Sequence, residues 1–458
     1  MKTIRVFLAV ALCKALHTLA RLLRRGGTAF PGRMALKLCP GLLSDLAKGV
    51  NTVVITGTNG KTTSARMVEQ ALLDAGLDCM ANRSGANLNS GITTVFALHS
   101  SLGGRCRKPW AVIECDEGAC RRTLGQLKPR AVLVTNLFED QLDRYGDVNK
   151  TLENIRAGLE SVPETVLVLN ADCSLTASLA ALPNPRVFYG LEQGAVTEGT
   201  LSPAAERIHC VSCGGKLNYD FVNYDHLGGW RCERCGAARP DTDVGIVKVE
   251  HMDAEGSSAS MRIRGETLPV RVNLPALYNT CNAAGAIAAA MAVGVDTDTA
   301  VQAMAAFKGG FGRLEHFAAG KAGATMMLAK NAAGYDQVIA FLCGQESECE
   351  LVFIFNNNES DGRDISWLAD VNFEKLAGMQ ERIGTVLLAG MCAQDLRERL
   401  EQAGFAPDKL VQESSYETLA LRLAAMERPI FIIPNYTGMM EFRPVLVKHC
   451  GGSQFWEG

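Results

Sequence analysis

Short apolar runs recur along the chain, separated by longer stretches with helical spacing of apolar residues. Residues 52–55, 110–114, 131–135, 165–170 and 186–189 read as short strands buried on both faces. Helical patterns between several of them predict a mostly parallel sheet with helices on both sides. Around Cys210–Cys235 the pattern breaks into a cysteine-rich insertion. Residues 246–272 look like hairpin strands, with apolar residues alternating through Ser260-Met-Arg-Ile-Arg264, and an alanine-rich helix spans 279–293. The glycine-rich stretch 307–315 reads as a hinge. Beyond it, 325–328, 351–355, 385–388 and 430–433 are four more strand candidates with helices between, a second and smaller α/β domain. Neither internal repeats nor low-complexity tracts interrupt this order.

At the N-terminus, Ile4, Phe7, Leu8, Ala11, Ala15, Leu19, Leu22 and Leu23 form an apolar stripe of an amphipathic helix. The run Val6–Cys13 imitates a signal peptide, but Lys14 cuts it short and Arg21, Arg24 and Arg25 follow without a small-residue cleavage site. It is too short to span a bilayer. The favoured expectation is that this stripe packs on the next domain, ahead of a membrane-surface role. The expected divisions are an amphipathic helical segment (1–48), a central domain (49–306) with an insertion at 207–238, a hinge (307–317) and a C-terminal α/β domain (318–458).

The chain has 458 residues, 47% hydrophobic and 21% charged, enough for two or three domains with ample core. A net charge of −3 gives no electrostatic case for nucleic acid. Sixteen irregularly scattered cysteines fit a reducing cytosol better than a disulfide framework.

The first candidate site follows the strand 52–55. In Gly57-Thr-Asn-Gly60-Lys61-Thr62-Thr63 the glycines let backbone N–H groups approach phosphate oxygens, and the helix N-terminus adds its positive end. Lys61 would reach the β- and γ-phosphates of ATP, and the Thr62 hydroxyl would ligate Mg²⁺. Ile55 stands where a P-loop usually opens with glycine, and a bare Gly-Lys-Thr is weak. The flanking strand and the amphipathic stretch 64–76 strengthen it. Glu114 ends the strand 110–114, beside the phosphate loop, where a Mg²⁺ ligand belongs. Asp116 and Glu117 read as caps of the next helix. Thr135-Asn136 runs into a polar loop with Asp140, Asp143 and Gly146.

Cys210-Val-Ser-Cys213 and Cys232-Glu-Arg-Cys235 match a four-thiolate zinc ribbon. Two knuckles close a tetrahedron and leave no open position, so Zn²⁺ there would be structural.

Taken in order, these pieces resemble the Mur ligase superfamily, ATP-dependent enzymes that join carboxylates to amines. Further matches are Tyr278-Asn279-Thr-Cys-Asn282 and Gly312-Arg313-Leu-Glu315. The ribbon and the run Asn356-Asn-Asn-Glu-Ser-Asp361-Gly362-Arg363-Asp364 look like the MurT-type synthetase subunits of lipid II isoglutaminyl synthase, as do Lys330-Asn331 and Asn435-Tyr436-Thr437. The resemblance implies a Mur ligase P-loop ATPase domain with an inserted Cys₄ ribbon, plus a Rossmann-like C-terminal domain. It implies ATP binding by Gly57, Thr58, Asn59, Gly60, Lys61, Thr62, Thr63, Asn279 and Arg313, with Thr62 and Glu114 on Mg²⁺. Gln141, Tyr145 and Asn331 stand where ordinary members often carry histidines, which puts their second metal site in doubt. The UDP-sugar-binding N-terminal domain of ordinary members is not expected ahead of the phosphate loop, which would suit a lipid-linked substrate.

The activity implied is amidation of the D-glutamate α-carboxyl of lipid II through an acyl phosphate. Leu342-Cys343-Gly344 and Gly390-Met-Cys392 lack the Gly-x-Cys-x-Gly turn of a glutaminase nucleophile. Ammonia is therefore expected from a partner, a class-I glutaminase of GatD type in a heterodimer. In that family the aspartate matching Asp361 completes a Cys-His-Asp arrangement across the interface; the competing reading makes Asp361-Gly362 a turn, with Asp364 capping the next helix. The expected location is the cytoplasm, with peripheral contact at the inner membrane face at most. Two alternatives stand beside this: a Mur-type amino-acid ligase such as folylpolyglutamate synthase, and a zinc-ribbon nucleic-acid ATPase.

Overall fold

The computed structural model describes residues 2–22, 29–82, 86–138, 148–196, 208–253, 256–307, 313–345, 347–359 and 361–450. The polar-loop residues Asp140, Gln141, Asp143, Tyr145 and Gly146 lie outside them, as do 308–312.

Nine strands form the larger sheet. They are β1 (Asn51–Thr56), β2 (Cys79–Ala81), β3 (Trp110–Glu114), β4 (Ala131–Val134), β5 (Val166–Asn170), β6 (Arg186–Leu191), β9 (Val244–Met252), β10 (Ser257–Ile263) and β11 (Glu266–Val272). Their order is β11-β10-β9-β6-β5-β4-β1-β3-β2. The seven strands from β9 to β2 pair in parallel, and β9, β10 and β11 form an antiparallel meander at one edge. In β1, Val53 and Ile55 join the core on one face and Val54 the core on the other, which explains a continuous apolar run rather than an alternating one. Helices Lys61–Asp74, Leu277–Ala292 and Thr297–Ala306 cover the first face. Asn89–Leu98, Glu117–Leu127 and Val148–Glu160 cover the second.

The insertion carries a two-stranded antiparallel sheet, β7 (Leu217–Tyr224) and β8 (Leu227–Cys232). Its hairpin is fastened to the end of β5: Trp230 Nε1 donates to the Ala171 carbonyl at 2.9 Å, and Arg239 donates to Asp172 at 2.9 Å. Burial pushes the Asp172 carboxyl up to about 6 despite the opposing pull of Arg239.

A six-stranded sheet follows, ordered β12 (Arg313–Phe317), β13 (Ala324–Met327), β17 (Ile430–Pro434), β14 (Cys349–Ile354), β15 (Ile383–Ala389) and β16 (Leu410–Gln412). All pairs are parallel except β12 with β13. The second half of the expected hinge is thus a sheet edge. Glu315 on β12 makes a part-buried bidentate pair with Arg443 of the last helix, at 2.8 and 2.6 Å. Such a pair fixes the strand to the body of the domain.

The N-terminal helix Lys2–Leu22 does pack on the central domain, but not by the expected face. Val6, Ala9, Val10 and Cys13 are buried, whereas Ile4, Phe7, Leu8, Leu19 and Leu22 are exposed. Apolar residues lie all round the helix, so spacing alone could not choose the docked side.

Candidate functional site

The phosphate loop connects β1 to the helix Lys61–Asp74 at the C-terminal edge of the larger sheet. There β1 sits between β4 and β3, where chain order reverses and a crevice opens. Gly57 and Gly60 have φ of +121° and +82°, values that side chains rarely adopt. Their missing side chains matter too: a Cβ would collide with Thr135 at Gly57 and with Asn282 at Gly60. The loop is laced to the end of β4. Thr58 N–H donates to the Asn136 carbonyl at 2.8 Å, Asn59 N–H to Asn136 Oδ1 at 2.9 Å, and Thr135 Oγ1 to the Asn59 carbonyl at 2.7 Å.

Lys61 Nζ lies 2.8 Å from Glu117 Oε1 and 3.2 Å from the Thr58 carbonyl, and also donates to the Gly57 carbonyl. Burial opposes its charge, yet Glu117, Glu114 and Asp116 hold its pKa above the ordinary lysine value. Thr62 Oγ1 donates to Glu114 Oε2 at 2.7 Å. Asn87 donates to the other Glu114 oxygen at 3.4 Å, and Asn82 makes paired hydrogen bonds with the Glu114 backbone. A hydroxyl and a carboxylate held this close, beside a buried lysine, are the hard oxygen donors that Mg²⁺ prefers. Asp116 caps the next helix through Gly118 N–H at 3.0 Å. Glu117, read from sequence as another cap, is instead the counter-ion of Lys61.

Beside the loop runs a cleft walled by both sheets' domains. Asn59, Gly60, Thr63, Asn279 and Asn282 line one side; Lys330, Gly334 and Gln337 line the other. Thr135, Asn136, Phe138 and Tyr224 complete the first wall, so the insertion hairpin also reaches the cleft. Asn279 is buried and donates to the Pro275 carbonyl at 2.7 Å. Arg313 begins β12, its backbone paired with Met327 beside the cleft. Asn59 and Asn331 exchange two side-chain hydrogen bonds of 3.3 Å across the gap.

Asp361 stands elsewhere, in the loop after β14, where the order of the second sheet reverses. It is 8% exposed. Its Oδ1 accepts from Thr437 N–H at 2.9 Å and its Oδ2 accepts from the Thr437 hydroxyl. Burial raises its pKa above the usual carboxylate value even though Thr437 pulls it down. Each carboxylate oxygen keeps a lone pair for a further donor. Asp364 accepts from Ser366 N–H at 2.9 Å, a local cap. Burial raises the Tyr436 pKa above the usual phenol value, and the charges of Asp361 and Glu114 add to it.

The sulfurs of Cys210, Cys213, Cys232 and Cys235 all lie within 4.8 Å of one another. The Cys210–Cys235 and Cys213–Cys232 separations are 3.5 Å, near the ~3.8 Å edge of a tetrahedron with Zn–S bonds of about 2.3 Å. Gly214 N–H donates to the Cys210 carbonyl and Gly236 N–H to the Cys232 carbonyl, turning each knuckle inward. This donor set fits zinc.

Residues 55–225 match the Mur ligase middle domain, and 328–439 match the family described as MurT ligase C-terminal. The chain is 32% identical over 435 residues to the MurT subunit of lipid II isoglutaminyl synthase (glutamine-hydrolyzing) from Streptococcus pneumoniae R6, covering 94% of this chain and 95% of that one. Against the corresponding Staphylococcus aureus COL subunit it is 29% identical, covering 98% and 100%. Among solved structures, a pseudomurein peptide ligase type C from Methanothermus fervidus superposes with a TM-score of 0.63 at 21% identity, covering 87% and 79%. MurF ligase from Thermotoga maritima, in complex with ADP, gives 0.61 at 13%, covering 92% and 84%. These structural likenesses establish a Mur ligase fold.

Proposed function

Since the chain belongs to the MurT family of lipid II isoglutaminyl synthase subunits, we propose that it amidates the D-glutamate α-carboxyl of lipid II, giving D-isoglutamine. It is a ligase of peptidoglycan synthesis, and its relatives' designation as subunits implies an assembly with a second chain.

A carboxylate resists attack by an amine because its charge repels the nucleophile and oxide is a poor leaving group. Its oxygen would attack the γ-phosphorus of ATP, displacing ADP and leaving an acyl phosphate. Ammonia would then attack the carbonyl carbon, phosphate would leave with the carbonyl–oxygen bond, and a proton would pass to solvent. In this scheme Lys61 turns from Glu117 toward the β- and γ-phosphates and neutralises the moving charge. Thr62 and Glu114 would hold Mg²⁺, which supplies further charge neutralisation when bound. Backbone N–H groups of 57–63 cradle phosphate, while Asn279 and Arg313 contact the nucleotide. Thr62 and Glu114 converging beside Lys61, at a cleft with walls from both domains, is the observation that carries the reading.

The ammonia source is a class-I glutaminase of GatD type, paired with this chain as a heterodimer. Asp361 would accept from that partner's catalytic histidine and orient it, as the carboxylate of a triad does. The four cysteines hold structural Zn²⁺. The chain would work in the cytoplasm, where lipid II faces it from the inner membrane surface. The domain limits that serve this scheme are 1–48 and 49–306, with the ribbon at 207–238, and a C-terminal domain whose first strand is β12 (Arg313–Phe317). Co-purification with a candidate glutaminase, then mass analysis of lipid II given ATP and glutamine, tests the proposal. Replacement of one hydroxyl by an amide nitrogen is expected; an added amino acid or unchanged lipid II would overturn it.

A further inference from the structure

The helix Lys2–Leu22 presents large apolar side chains on the side away from its docked face. Ile4, Phe7, Leu8 and Leu22 are 64, 45, 48 and 76% exposed. With Ala11, Ala15 and Leu19 they occupy about 120° of arc on a helix of 3.6 residues per turn. The docked face lies opposite: Val6, Ala9, Val10 and Cys13 are buried, and Lys14 Nζ donates to the Ser100 carbonyl at 2.5 Å. Arg5 flanks the exposed stripe on one side and Arg21 on the other, both exposed. The next helix, Ala29–Leu38, exposes Phe30 and Leu38 with Arg33 and Lys37.

Charge selects the occupant of this face. Eight Lys or Arg residues and no Asp or Glu precede Asp45, in a chain whose net charge is −3. A broad apolar stripe between basic flanks matches the boundary between anionic headgroups and acyl chains. The apolar run Val6–Cys13 is too short to span, but the helix extends past it, and by length and composition alone Thr3–Leu22 could cross a bilayer. Crossing would require pulling Val6, Ala9, Val10 and Cys13 out of the protein core, whereas lying in the interface leaves that docking intact.

We propose that this helix seats the enzyme on an anionic lipid surface, with Ile4, Phe7, Leu8, Leu19 and Leu22 at the acyl boundary and Arg5 and Arg21 among the headgroups. The purpose of such seating rests on the reading of a lipid-linked substrate; the surface itself does not. A membrane-seated enzyme meets its substrate by diffusion in two dimensions, with the stem peptide presented near the cleft.

The test is sedimentation of the full chain, with its glutaminase, on vesicles of phosphatidylglycerol and phosphatidylethanolamine against vesicles of phosphatidylcholine. Native protein should sediment with the anionic vesicles far more than with the neutral ones, and less as salt rises. Phe7→Ser with Leu8→Ser should weaken that binding about tenfold or more. Arg5→Glu with Arg21→Glu should weaken it similarly. These residues are exposed, so thermal stability and amidation of a water-soluble, short-chain lipid II analogue should not change. Equal sedimentation of native and substituted proteins, or none with either vesicle, would overturn the proposal. So would a native dimer that the Ser pair converts to monomer, or loss of the glutaminase, because another protein would then cover the stripe. Vesicle binding without amidation of the soluble analogue would instead count against the proposed function alone.

Discussion

Asn59 of the phosphate loop and Asn331 at the start of helix Ala332–Cys343 bond to each other twice, at 3.3 Å each way. One residue from each domain thereby closes the cleft. Asn331 Oδ1 also accepts from Gly334 N–H at 2.9 Å, so the same side chain caps its helix. Asn331→Ala should cost about 1 kcal/mol of stability through the lost cap and raise the KM for ATP. Asn331→Asp keeps the cap and one of the two interdomain bonds. It should recover the stability while leaving nucleotide affinity impaired. Thermal melts with and without ATP, beside steady-state kinetics, separate the two roles; full recovery of affinity by Asp would contradict the interdomain one.

Glu114 and Glu117 sit three residues apart but should respond oppositely to substitution. Glu114→Ala removes the carboxylate beside Thr62 and should raise the Mg²⁺ requirement, with a loss of about 3 kcal/mol in transition-state stabilisation. Glu117→Gln leaves Lys61 buried without its ion-pair partner, so the nucleotide-free protein should lose stability. Phosphate should then occupy the vacated place readily, and ATP should raise the melting temperature of Glu117→Gln more than that of the native protein. Equal nucleotide-induced shifts would show that Glu117 does not compete for Lys61.

Much of the phosphate site was legible because its parts are contiguous: a buried strand, two glycines, a lysine and a helix start. Glu114 was legible because a charge at the end of an apolar strand has few structural reasons to be there. Glu117 was not, since an acid in the first turn of a helix reads equally well as a dipole partner. The Asn59–Asn331 contact spans 272 positions and joins two uncharged side chains, which leave no local pattern. Strands β2 and β16 have three residues each, too few for any periodicity. Glycines beside β12 hid an edge strand within an apparent hinge. At the N-terminus the helix was evident, but small residues such as Ala9 and Cys13 dock there and the larger ones stay outside. The sequence rule that bulk goes inward chose the wrong face.

The ribbon should couple metal to nucleotide. Cys232→Ser should lower zinc content and melting temperature, because the knuckles order β7 and β8. Tyr224, at the end of β7, lines the cleft, so ATP affinity should fall with zinc occupancy in the protein that remains folded. Metal analysis and nucleotide titration check both. Zinc-free protein as purified without chelators would remove the site, and unchanged ATP affinity would confine the ribbon to a structural role.

His226 should make stability depend on alkaline pH. It is buried, with Nδ1 2.8 Å from Asp225 Oδ1 and Nε2 3.7 Å from the Cys173 sulfur. Burial disfavours its charge, but Asp225 and Cys173 outweigh that and hold its pKa up to about 10. A raised folded-state value means that its stabilisation is complete below the unfolded value of about 6.5 and lost as pH climbs through about 10. Denaturant unfolding across that window should show declining stability. His226→Gln should flatten the decline, and an unchanged slope would rule out His226 as its source.

The account turns on a division of labour: this chain activates the carboxylate with ATP, and ammonia arrives from another subunit. Amidation of lipid II, measured by mass with ammonium salt or with glutamine as nitrogen source, tests it directly. The chain alone should amidate with ATP and ammonium but not with glutamine, and the glutaminase partner should add the second activity. Lys61→Ala should abolish both, since no acyl phosphate forms. Asp361→Asn in the complex should stop glutamine hydrolysis and glutamine-dependent amidation while sparing the ammonium-dependent reaction, because Lys61, Thr62 and Glu114 are untouched. Ammonium-dependent amidation surviving in Lys61→Ala, or glutamine use by the chain alone, would contradict the account.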